Sequence, residues 1–162
     1  MHRLILPLLA LAACAPRPAP VSPGFRAADA PIYSSTIVEP AQLAGSWVQV
    51  ATFASGGTAP CPPGQVDFAE GQVRWALCLA DGMQSGQGPF VPGKPGRFAV
   101  AGMQDWWVLW VDADYRTLII GTPSGDFGFV LNRQAQVPDD RVKAVRDILQ
   151  FNGYSTNQLA AF

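Results

Sequence analysis

The sequence predicts an all-β domain, an eight-stranded antiparallel up-and-down barrel with one C-terminal α-helix packed on its outside. Three observations lead to this prediction. From about residue 37 onward, short apolar runs recur at intervals of roughly ten residues; Gly, Pro and Asp separate these runs; and only one segment shows helical spacing. Many short strands with regular turns are typical of an antiparallel sandwich or barrel. Eight strands form a barrel whose interior holds side chains or one small ligand.

The apolar runs give the expected bounds of the eight strands. They are residues 46–53, 65–70, 73–79, 84–91, 96–101, 107–112, 117–122 and 127–133. A helix follows, because Pro138-Asp139-Asp140 supplies a start and Asn152-Gly153 supplies a stop. Between them lies an apolar stripe at helical spacing, which consists of Val142, Val145, Ile148 and Leu149. A short final run at 158–162 is expected to add a strand to an edge.

Alternation along three of the runs assigns side chains to the barrel interior, because successive side chains of a strand point to opposite faces. We expect the faces with the larger residues to point inward. In the first strand this face carries Trp47, Gln49, Ala51 and Phe53. In the third and eighth strands it carries Val73, Trp75, Leu77, Leu79, Phe127, Phe129, Leu131 and Arg133.

The N-terminus has the pattern of a secretory signal, with basic Arg3, an apolar run over 4–11 and small residues before Cys14. The run is too short to span a bilayer as a helix. Residues 11–14, Leu-Ala-Ala-Cys, match the bacterial lipobox, which predicts removal of residues 1–13 and attachment of lipid to the Cys14 thiol. The alternative is an ordinary signal peptide with a chance cysteine. Ala15 resembles a signal for sorting to the outer membrane, so we expect a lipid-anchored protein that faces the periplasm.

Residues 14–36 are rich in Pro, Ala and Ser and have no periodicity. Proline favours extended polyproline geometry, so this stretch is predicted to be a semi-rigid tether after the lipidated cysteine. The remaining residues, 37–162, are sufficient for one domain with one hydrophobic core.

Charge and histidine content exclude several classes of protein. The chain has 11 Lys and Arg against 12 Asp and Glu, and neither sign clusters, so we expect no nucleic-acid partner. His2 is the only histidine and lies in the predicted signal peptide. The mature chain would therefore lack the imidazole of a Ser-His-Asp or Cys-His site, a His-ligated zinc or a haem ligand. We expect no metal, no cofactor and no enzymatic activity.

Two cysteines, Cys61 and Cys78, lie in the predicted domain. In an oxidising compartment such a pair indicates a disulfide. A hairpin that turns near Glu70-Gly71-Gln72 would bring the two positions nearly opposite each other. A reactive thiol is the alternative, which the absence of a histidine base disfavours.

Three motifs in order carry a resemblance to a known family. Gly45-Ser46-Trp47 opens the first strand, Asp112-Ala113-Asp114-Tyr115 lies between the sixth and seventh strands, and Arg133 ends the eighth. The chain from about residue 38 to 162 resembles the lipocalins, and is most similar to the bacterial outer-membrane lipoprotein lipocalins. The resemblance implies that Trp47 lies at the closed end of the barrel with Arg133 across its face, as a structural cation-π pair. Val48 and Thr52 depart from the family pattern, in which an aromatic and a basic residue are common there.

The resemblance also implies binding of a small hydrophobic ligand, such as a fatty acid or lysophospholipid, for storage or transport in the cell envelope. The residues expected to line this ligand are Ala51, Phe53, Phe68, Trp75, Leu77, Phe98, Trp110 and Phe129. Alternatively, these rings fill a small core, and the protein is a structural or protein-interaction component of the envelope. An enzyme that uses Cys78 or Asp67 on a lipid is a third hypothesis, which the absence of histidine disfavours. We expect a monomer or weak dimer.

Overall fold

The computed structural model describes residues 24–162, and its main element is a closed antiparallel β-barrel. The eight strands are β1 (Gly45–Phe53), β2 (Gln65–Ala69), β3 (Gln72–Leu79), β4 (Gly82–Pro92), β5 (Arg97–Val100), β6 (Trp106–Val111), β7 (Thr117–Gly121) and β8 (Gly128–Asn132). Each strand pairs with the next along the chain, and β1 also pairs with β8. The predicted eight-stranded up-and-down barrel is confirmed.

Two further elements lie on the outside of the barrel. Helix α1 (Asp139–Phe151) follows β8 and buries Val145 and Leu149 against the barrel, as predicted, whereas Val142 stays 40% exposed. A short strand, β9 (Leu159–Ala161), pairs with β1 from Ala51 to Phe53. Over residues 24–162, no helix has the length and hydropathy needed to cross a membrane.

The connections between strands alternate between the two ends of the barrel. A 3-10 helix, Pro40–Leu43, covers one end, and its Leu43 is fully buried against the interior. The loops at the opposite end follow β1, β3, β5 and β7. We call this end the mouth, and its loops are residues 54–64, 80–81, 101–105 and 122–127.

The barrel interior is filled by a set of buried apolar side chains to which all eight strands contribute, named here the inner cluster. It consists of Leu43, Trp47, Val66, Phe68, Val73, Trp75, Leu77, Leu79, Phe90, Phe98, Val100, Trp106, Val108, Val111, Leu118, Ile120, Phe127, Phe129 and Leu131. The alternation predicted for the third and eighth strands is therefore correct for their apolar residues. Burial of these side chains is the main stabilising contribution to the barrel.

A second set of buried residues, the outer cluster, lies between the barrel wall and helix α1. It consists of Phe25, Val50, Ala51, Phe53, Leu109, Ile119, Val130, Val145, Leu149 and Tyr154. The sequence prediction was wrong for three positions, because Ala51 and Phe53 belong to this outer cluster and Trp110 packs against it.

Two β-bulges explain these errors. The pairing of β1 with β8 shifts between Gln49 and Ala51, and that of β6 with β7 shifts between Val108 and Trp110. An extra residue in one strand breaks the two-residue alternation. Two consecutive side chains then face outward at each bulge, and every later side chain of the strand is reversed with respect to a strict alternation.

Candidate ligand-binding site in the barrel

Aromatic rings in the middle of the barrel contact one another across the interior. Phe90 stacks on Phe98 with ring centroids 4.1 Å apart, and Trp106 meets Phe129 edge to face at 5.2 Å. Phe68, on the second strand, packs against Phe90 at 4.9 Å and reaches Trp106 at 6.3 Å. Trp106 therefore spans the barrel from β6 towards β2.

Five of the eight residues expected to line a ligand lie in this interior: Phe68, Trp75, Leu77, Phe98 and Phe129. Whether they contact a ligand stays a prediction. Sequence reasoning missed Phe90 and Trp106, which are central to the ring packing. Phe90 lies within the predicted fourth strand, to which no inward face was assigned. Trp106 is two residues before inward-facing Val108 and one residue before the predicted sixth strand, so alternation extended by one residue would have found it.

Three tryptophans of the inner cluster differ in the hydrogen bonding of their indole N–H groups. Trp47 donates its Nε1–H to the carbonyl of Leu43 at 2.8 Å. The Nε1 atoms of Trp75 and Trp106 are buried and have no hydrogen-bond partner within the described part of the chain. A buried donor without an acceptor costs about 1–3 kcal/mol, and native structures contain few of them. The barrel interior thus presents two unused hydrogen-bond donors.

The wall of the barrel is open along β4. Residues 82–89 pair with β3, whereas β5 pairs with β4 only from Phe90 to Pro92. Gln84 is on the same face of β4 as buried Phe90, yet it is exposed. On the same face, a Cβ placed on Gly86 would lie 2.6 Å from Cζ2 of Trp75 and 3.1 Å from its Nε1. Glycine therefore allows the indole of Trp75 to lie against β4 beside this opening.

The closed end is sealed by the predicted pair of Trp47 and Arg133. The guanidinium carbon of Arg133 lies 3.9 Å from the centroid of the Trp47 ring, which confirms the cation-π contact. Arg133 also donates to the carbonyl oxygens of Gln42, Ser46 and Tyr115, at 3.1–3.2 Å. Partial burial lowers the pKa of Arg133 from its usual value. These contacts tie the 3-10 helix and the β6–β7 turn to the end of β8.

The β6–β7 turn holds its shape through the predicted second motif. Oδ1 of Asp112 accepts hydrogen bonds from the backbone N–H groups of Arg116 and Thr117, at 2.7 and 2.6 Å. The hydroxyl of Tyr115 donates to the carbonyl of Ile37 at 3.1 Å, which fastens the N-terminal segment to the closed end. Asp114 is exposed at the tip of this turn. The turn lies at the end opposite the mouth, so its role is structural.

Near the mouth, no residue of β2 lies between β1 and β3, and polar contacts close the wall there. We call the residues that make these contacts the seam; they are Gln49, Thr52, Gly64 and Cys78. The Gln49 side chain, predicted to face the interior, is fully buried and donates to the Cys78 carbonyl at 2.8 Å. Its Oε1 accepts from the backbone N–H groups of Gly64 and Cys78. Thr52 Oγ1 donates to the same Cys78 carbonyl at 2.7 Å.

A disulfide joins Cys61 to Cys78 at the seam, as predicted. A cysteine held in a disulfide is not a free nucleophile, so the structure gives Cys78 no catalytic role. Asp67, the other residue considered for catalysis, is half-buried on the second strand and accepts hydrogen bonds from Ser46 and Gln65, which lower the pKa of its carboxyl. It lies between the inward-facing Val66 and Phe68 and so points away from the interior. Residues 24–162 contain no group of three His, Cys, Asp or Glu side chains arranged for a metal.

An apolar cavity of about 400 Å³ lies outside the barrel, between α1, β9 and the outer face of β1 and β8. Its apolar lining includes Val50, Ala51, Val130, Val145, Leu159 and Phe162. Ala51, predicted to line the interior, thus lines an external cavity instead.

A closed antiparallel barrel with an aromatic interior, one sealed end and one helix on its outside defines a class of small β-barrel proteins whose interior is filled by side chains or holds one small ligand. Comparison with known proteins agrees. The family model of the lipocalin-like domain matches residues 94–162. Temperature-induced lipocalin-1 of Arabidopsis thaliana is 35% identical over 71 residues, which are 44% of this chain and 35% of the plant protein. The chain thus matches about a third of that relative's length.

Three solved structures share the fold. The siderocalin Ex-FABP, described as functioning through dual ligand specificities, has a TM-score of 0.55 and 17% identity, over 75% of this chain and 93% of that one. Lobster apocrustacyanin A1 has a TM-score of 0.51 and 18% identity, over 82% of this chain and 88% of that one. Rat epididymal lipocalin 12 has a TM-score of 0.59 and 12% identity, over 90% of this chain and 93% of that one. At these identities the likeness shows the fold, and the family model and the plant relative add the sequence match. Together they support a lipocalin assignment: the barrel has the lipocalin fold, and residues 94–162 match the lipocalin-like domain.

Proposed function

We propose that this protein binds one small hydrophobic ligand inside its barrel and stores or transports it. The observation that carries the proposal is the interior itself: all eight strands contribute apolar side chains to it, and the wall beside Gly86 and Gln84 is open along β4. Apolar pockets with a few polar groups are typical ligand sites. The two unused indole donors of Trp75 and Trp106 are such polar groups.

The ligand class that we propose is an acyl lipid, either a fatty acid or a lysophospholipid. Each buried methylene contributes roughly 0.8 kcal/mol, so a sixteen-carbon chain offers on the order of 12 kcal/mol before the costs of association and ordering are subtracted. The acyl chain would lie against Trp75 and Phe129. Trp110, which we expected to join them, packs on the outside and takes no part.

We further propose that lipid on Cys14 anchors the protein in the outer membrane, on the periplasmic side. The predicted signal peptide, Cys14 and the first part of the predicted tether lie outside the described residues. One structural observation supports this proposal: the backbone N–H of Phe25 donates to the carbonyl of Gly125, so the described chain begins beside a mouth loop. Ten peptide links separate Cys14 from Gly24, and they span at most about 36 Å. An anchor at Cys14 would therefore hold the mouth near the membrane, which is a source of acyl lipids.

The ring packing favours a second candidate function. Because the rings of Phe68, Phe90 and Trp106 contact one another, ligand can enter only if some of them turn aside. A barrel whose rings never move would be a structural or protein-interaction component of the envelope.

A binding experiment separates the two candidates. Delipidated protein is titrated with palmitate and with a sixteen-carbon lysophosphatidylcholine, while tryptophan emission and heat are recorded. The first candidate predicts saturable binding of one equivalent, with an emission change from Trp75 and Trp106. Native mass spectrometry of the protein before delipidation should show one bound lipid. If neither lipid binds and no lipid co-purifies, the second candidate replaces the first.

Matched variants test where the ligand lies. Val108→Phe adds a ring to the inner cluster, and Val142→Phe adds the same ring to α1 where it borders the external apolar cavity. We expect Val108→Phe to weaken binding at least about tenfold, because it occupies the cup, and Val142→Phe to leave binding unchanged. Thermal unfolding of both variants establishes that they are folded. Weaker binding by Val142→Phe together with unchanged binding by Val108→Phe would place the ligand in the external cavity instead.

A further inference from the structure

The two buried indole N–H groups of the interior can bind only a hydrogen-bond acceptor of a ligand. Trp75 is 4% exposed and Trp106 is fully buried, and both belong to the inner cluster. An acceptor atom on a ligand inside the barrel would satisfy a donor that the described residues leave unpaired. The unused donor of Trp75 lies beside Gly86, on the stretch of β4 that has no β5 partner.

The interior offers no positive charge to a ligand. Every member of the inner cluster is uncharged and apolar. Gln49 and Thr52, the polar residues of the seam, already bond to backbone groups of Gly64 and Cys78. A carboxylate placed inside would be a buried charge without a partner, which is costly, whereas a carbonyl oxygen needs only a hydrogen bond.

The mouth is acidic. Its loops carry Asp81, Asp105 and Asp126, all exposed, and they contain neither Lys nor Arg. Arg26 lies near one of these loops and donates to the backbone carbonyls of Ala30, Pro123 and Asn152; its single positive charge offsets only one of the three negative charges. Charges of one sign at an opening repel ligands of the same sign and attract those of the opposite sign.

We infer that the barrel selects an uncharged hydrophobic molecule with a carbonyl oxygen, such as an ester, ketone or aldehyde, over a free fatty-acid anion. The carbonyl oxygen accepts a hydrogen bond from Trp75 Nε1, and Trp106 Nε1 serves a second acceptor. This inference rests on the proposed function and narrows it. Among acyl lipids, those with an esterified acyl group fit the site. Their carbonyl oxygen would lie inside the barrel and not at its rim.

Three probes of matched chain length test the selection: methyl laurate, laurate and tridecane. At low ionic strength we expect methyl laurate to bind at least about tenfold more tightly than either of the others. Laurate lacks a cation partner inside and meets the acidic mouth, and tridecane has no acceptor. If none of the three probes binds, the proposed function itself fails. If all three bind with equal affinity, the proposed function stands and the inference is wrong.

The hydrogen bond itself can be observed in the unmodified protein. The chain has five tryptophans, so a nitrogen-15 spectrum contains five indole signals, which Trp75→Phe and Trp106→Phe would assign. Methyl laurate should shift the Trp75 indole proton downfield, and tridecane should not. The Trp47 signal should stay in place in both cases, because that N–H already bonds to Leu43. If none of the five indole signals moves when the ester is bound, the inference is overturned even if the Phe variants fail to fold.

Charge variants test the acidic mouth. Replacing Asp81, Asp105 and Asp126 together by Asn should raise the affinity for laurate several-fold at low ionic strength, and added salt should reduce this gain. Asp140→Asn removes one negative charge at the start of α1, after the closed end of β8, and serves as the control. An unchanged laurate affinity in the triple variant would show that the mouth does not select by charge.

Discussion

Trp47 and Arg133 are the residues through which the barrel is sealed at its closed end. The ring of Trp47 is fully buried, and the guanidinium of Arg133 stacks on it while binding backbone carbonyls of three separate segments. Four carbonyl partners, the fourth being Leu43 at 3.4 Å, and one stacked ring define a single position for the guanidinium. Lysine could not replace it, because an ammonium group has neither the planar face nor the forked donors.

A double-mutant cycle measures the coupling of this pair. Trp47→Ala should reduce the free energy of unfolding by about 3–5 kcal/mol, because it removes a large buried ring. Arg133→Ala should cost about 1–3 kcal/mol, because it leaves carbonyls unpaired. The double variant should lose less than the sum, as measured by urea unfolding. Arg97 and Trp107 form a similar contact at 3.6 Å on the outer face and provide the control cycle. Strict additivity for Trp47 and Arg133 would contradict the coupling.

Tyr154 links the outer cluster to the mouth. Its hydroxyl accepts a hydrogen bond from the backbone N–H of Thr122 at 2.8 Å and donates to the carbonyl of Phe127 at 3.0 Å. Burial raises the pKa of Tyr154 to about 12. The folded state therefore binds this proton more tightly than the unfolded state, whose tyrosine pKa is about 10. The corresponding stabilisation is complete below pH 10 and is lost as the pH rises towards 12.

We expect this loss to be visible in alkaline unfolding. Absorbance titration of the phenolates should show Tyr154 ionising last, and the free energy of unfolding should fall between about pH 10 and 12. Tyr154→Phe should be less stable at neutral pH and should show a shallower fall over that range. Tyr33→Phe, at an exposed ring stacked on Phe151, is the control. A Tyr154→Phe variant with the same alkaline profile as the wild type would contradict this account.

The seam closes the barrel wall at the part of β1 that has no β2 neighbour. The second strand starts at Gln65, so β1 has no β2 partner beyond Val48. The side chain of Gln49 spans the gap to the Cys78 backbone, and β9 takes the free edge of β1 farther along. A Cβ on Gly64 would lie 2.0 Å from the carbonyl oxygen of Ala76, so only glycine fits against β3 here. The Cys61–Cys78 disulfide joins the same site covalently.

Gln49→Ala should therefore destabilise the barrel far more than an ordinary surface change. The buried N–H groups of Gly64 and Cys78 would lose their acceptor, for a cost of about 2–4 kcal/mol in the free energy of unfolding. Gln65→Ala removes an exposed glutamine of β2 and should change stability by less than about 0.5 kcal/mol. Both are measured by urea unfolding with the disulfide intact. Equal stability of the two variants would show that the Gln49 bridge contributes nothing.

At the scale of the whole molecule, the two ends of the barrel have different roles. The closed end is held by the 3-10 helix, Arg133 and the β6–β7 turn, and the mouth has loops whose only charges are acidic. The described chain starts next to the mouth. The proposed membrane anchor and the proposed ligand access therefore lie at the same end of the molecule.

Replacement of the predicted lipidation site tests the anchor. In cells that produce the full chain, Cys14→Ser should abolish labelling by a radioactive fatty acid, and should either release the protein in soluble form or leave it unprocessed. Cys61→Ser, which breaks the disulfide without touching the lipobox, should still be labelled. If the Cys14→Ser protein fractionates with membranes as the wild type does, the chain is held there by another means.

The sequence by itself determined the number and order of the strands, the helix and the disulfide, and the resemblance to a known family implied the contact of Trp47 with Arg133. The strands and the helix follow from local pattern: apolar runs bounded by Gly, Pro and Asp define strands, and helical spacing between a start and a stop signal defines α1. The alternation in the sequence also assigned the inward and outward faces of β3 and β8 correctly, because neither of these strands contains a bulge there.

Only the tertiary structure decided the orientation of Ala51, Phe53 and Trp110, which the bulges in β1 and β6 turn outward. A bulge depends on the pairing of two strands, so alternation along one strand cannot reveal it. The same holds for the bridge made by Gln49 and for the unpaired donors of Trp75 and Trp106. Whether a polar atom has a partner depends on residues far away in the chain, and the closed barrel alone brings those residues together.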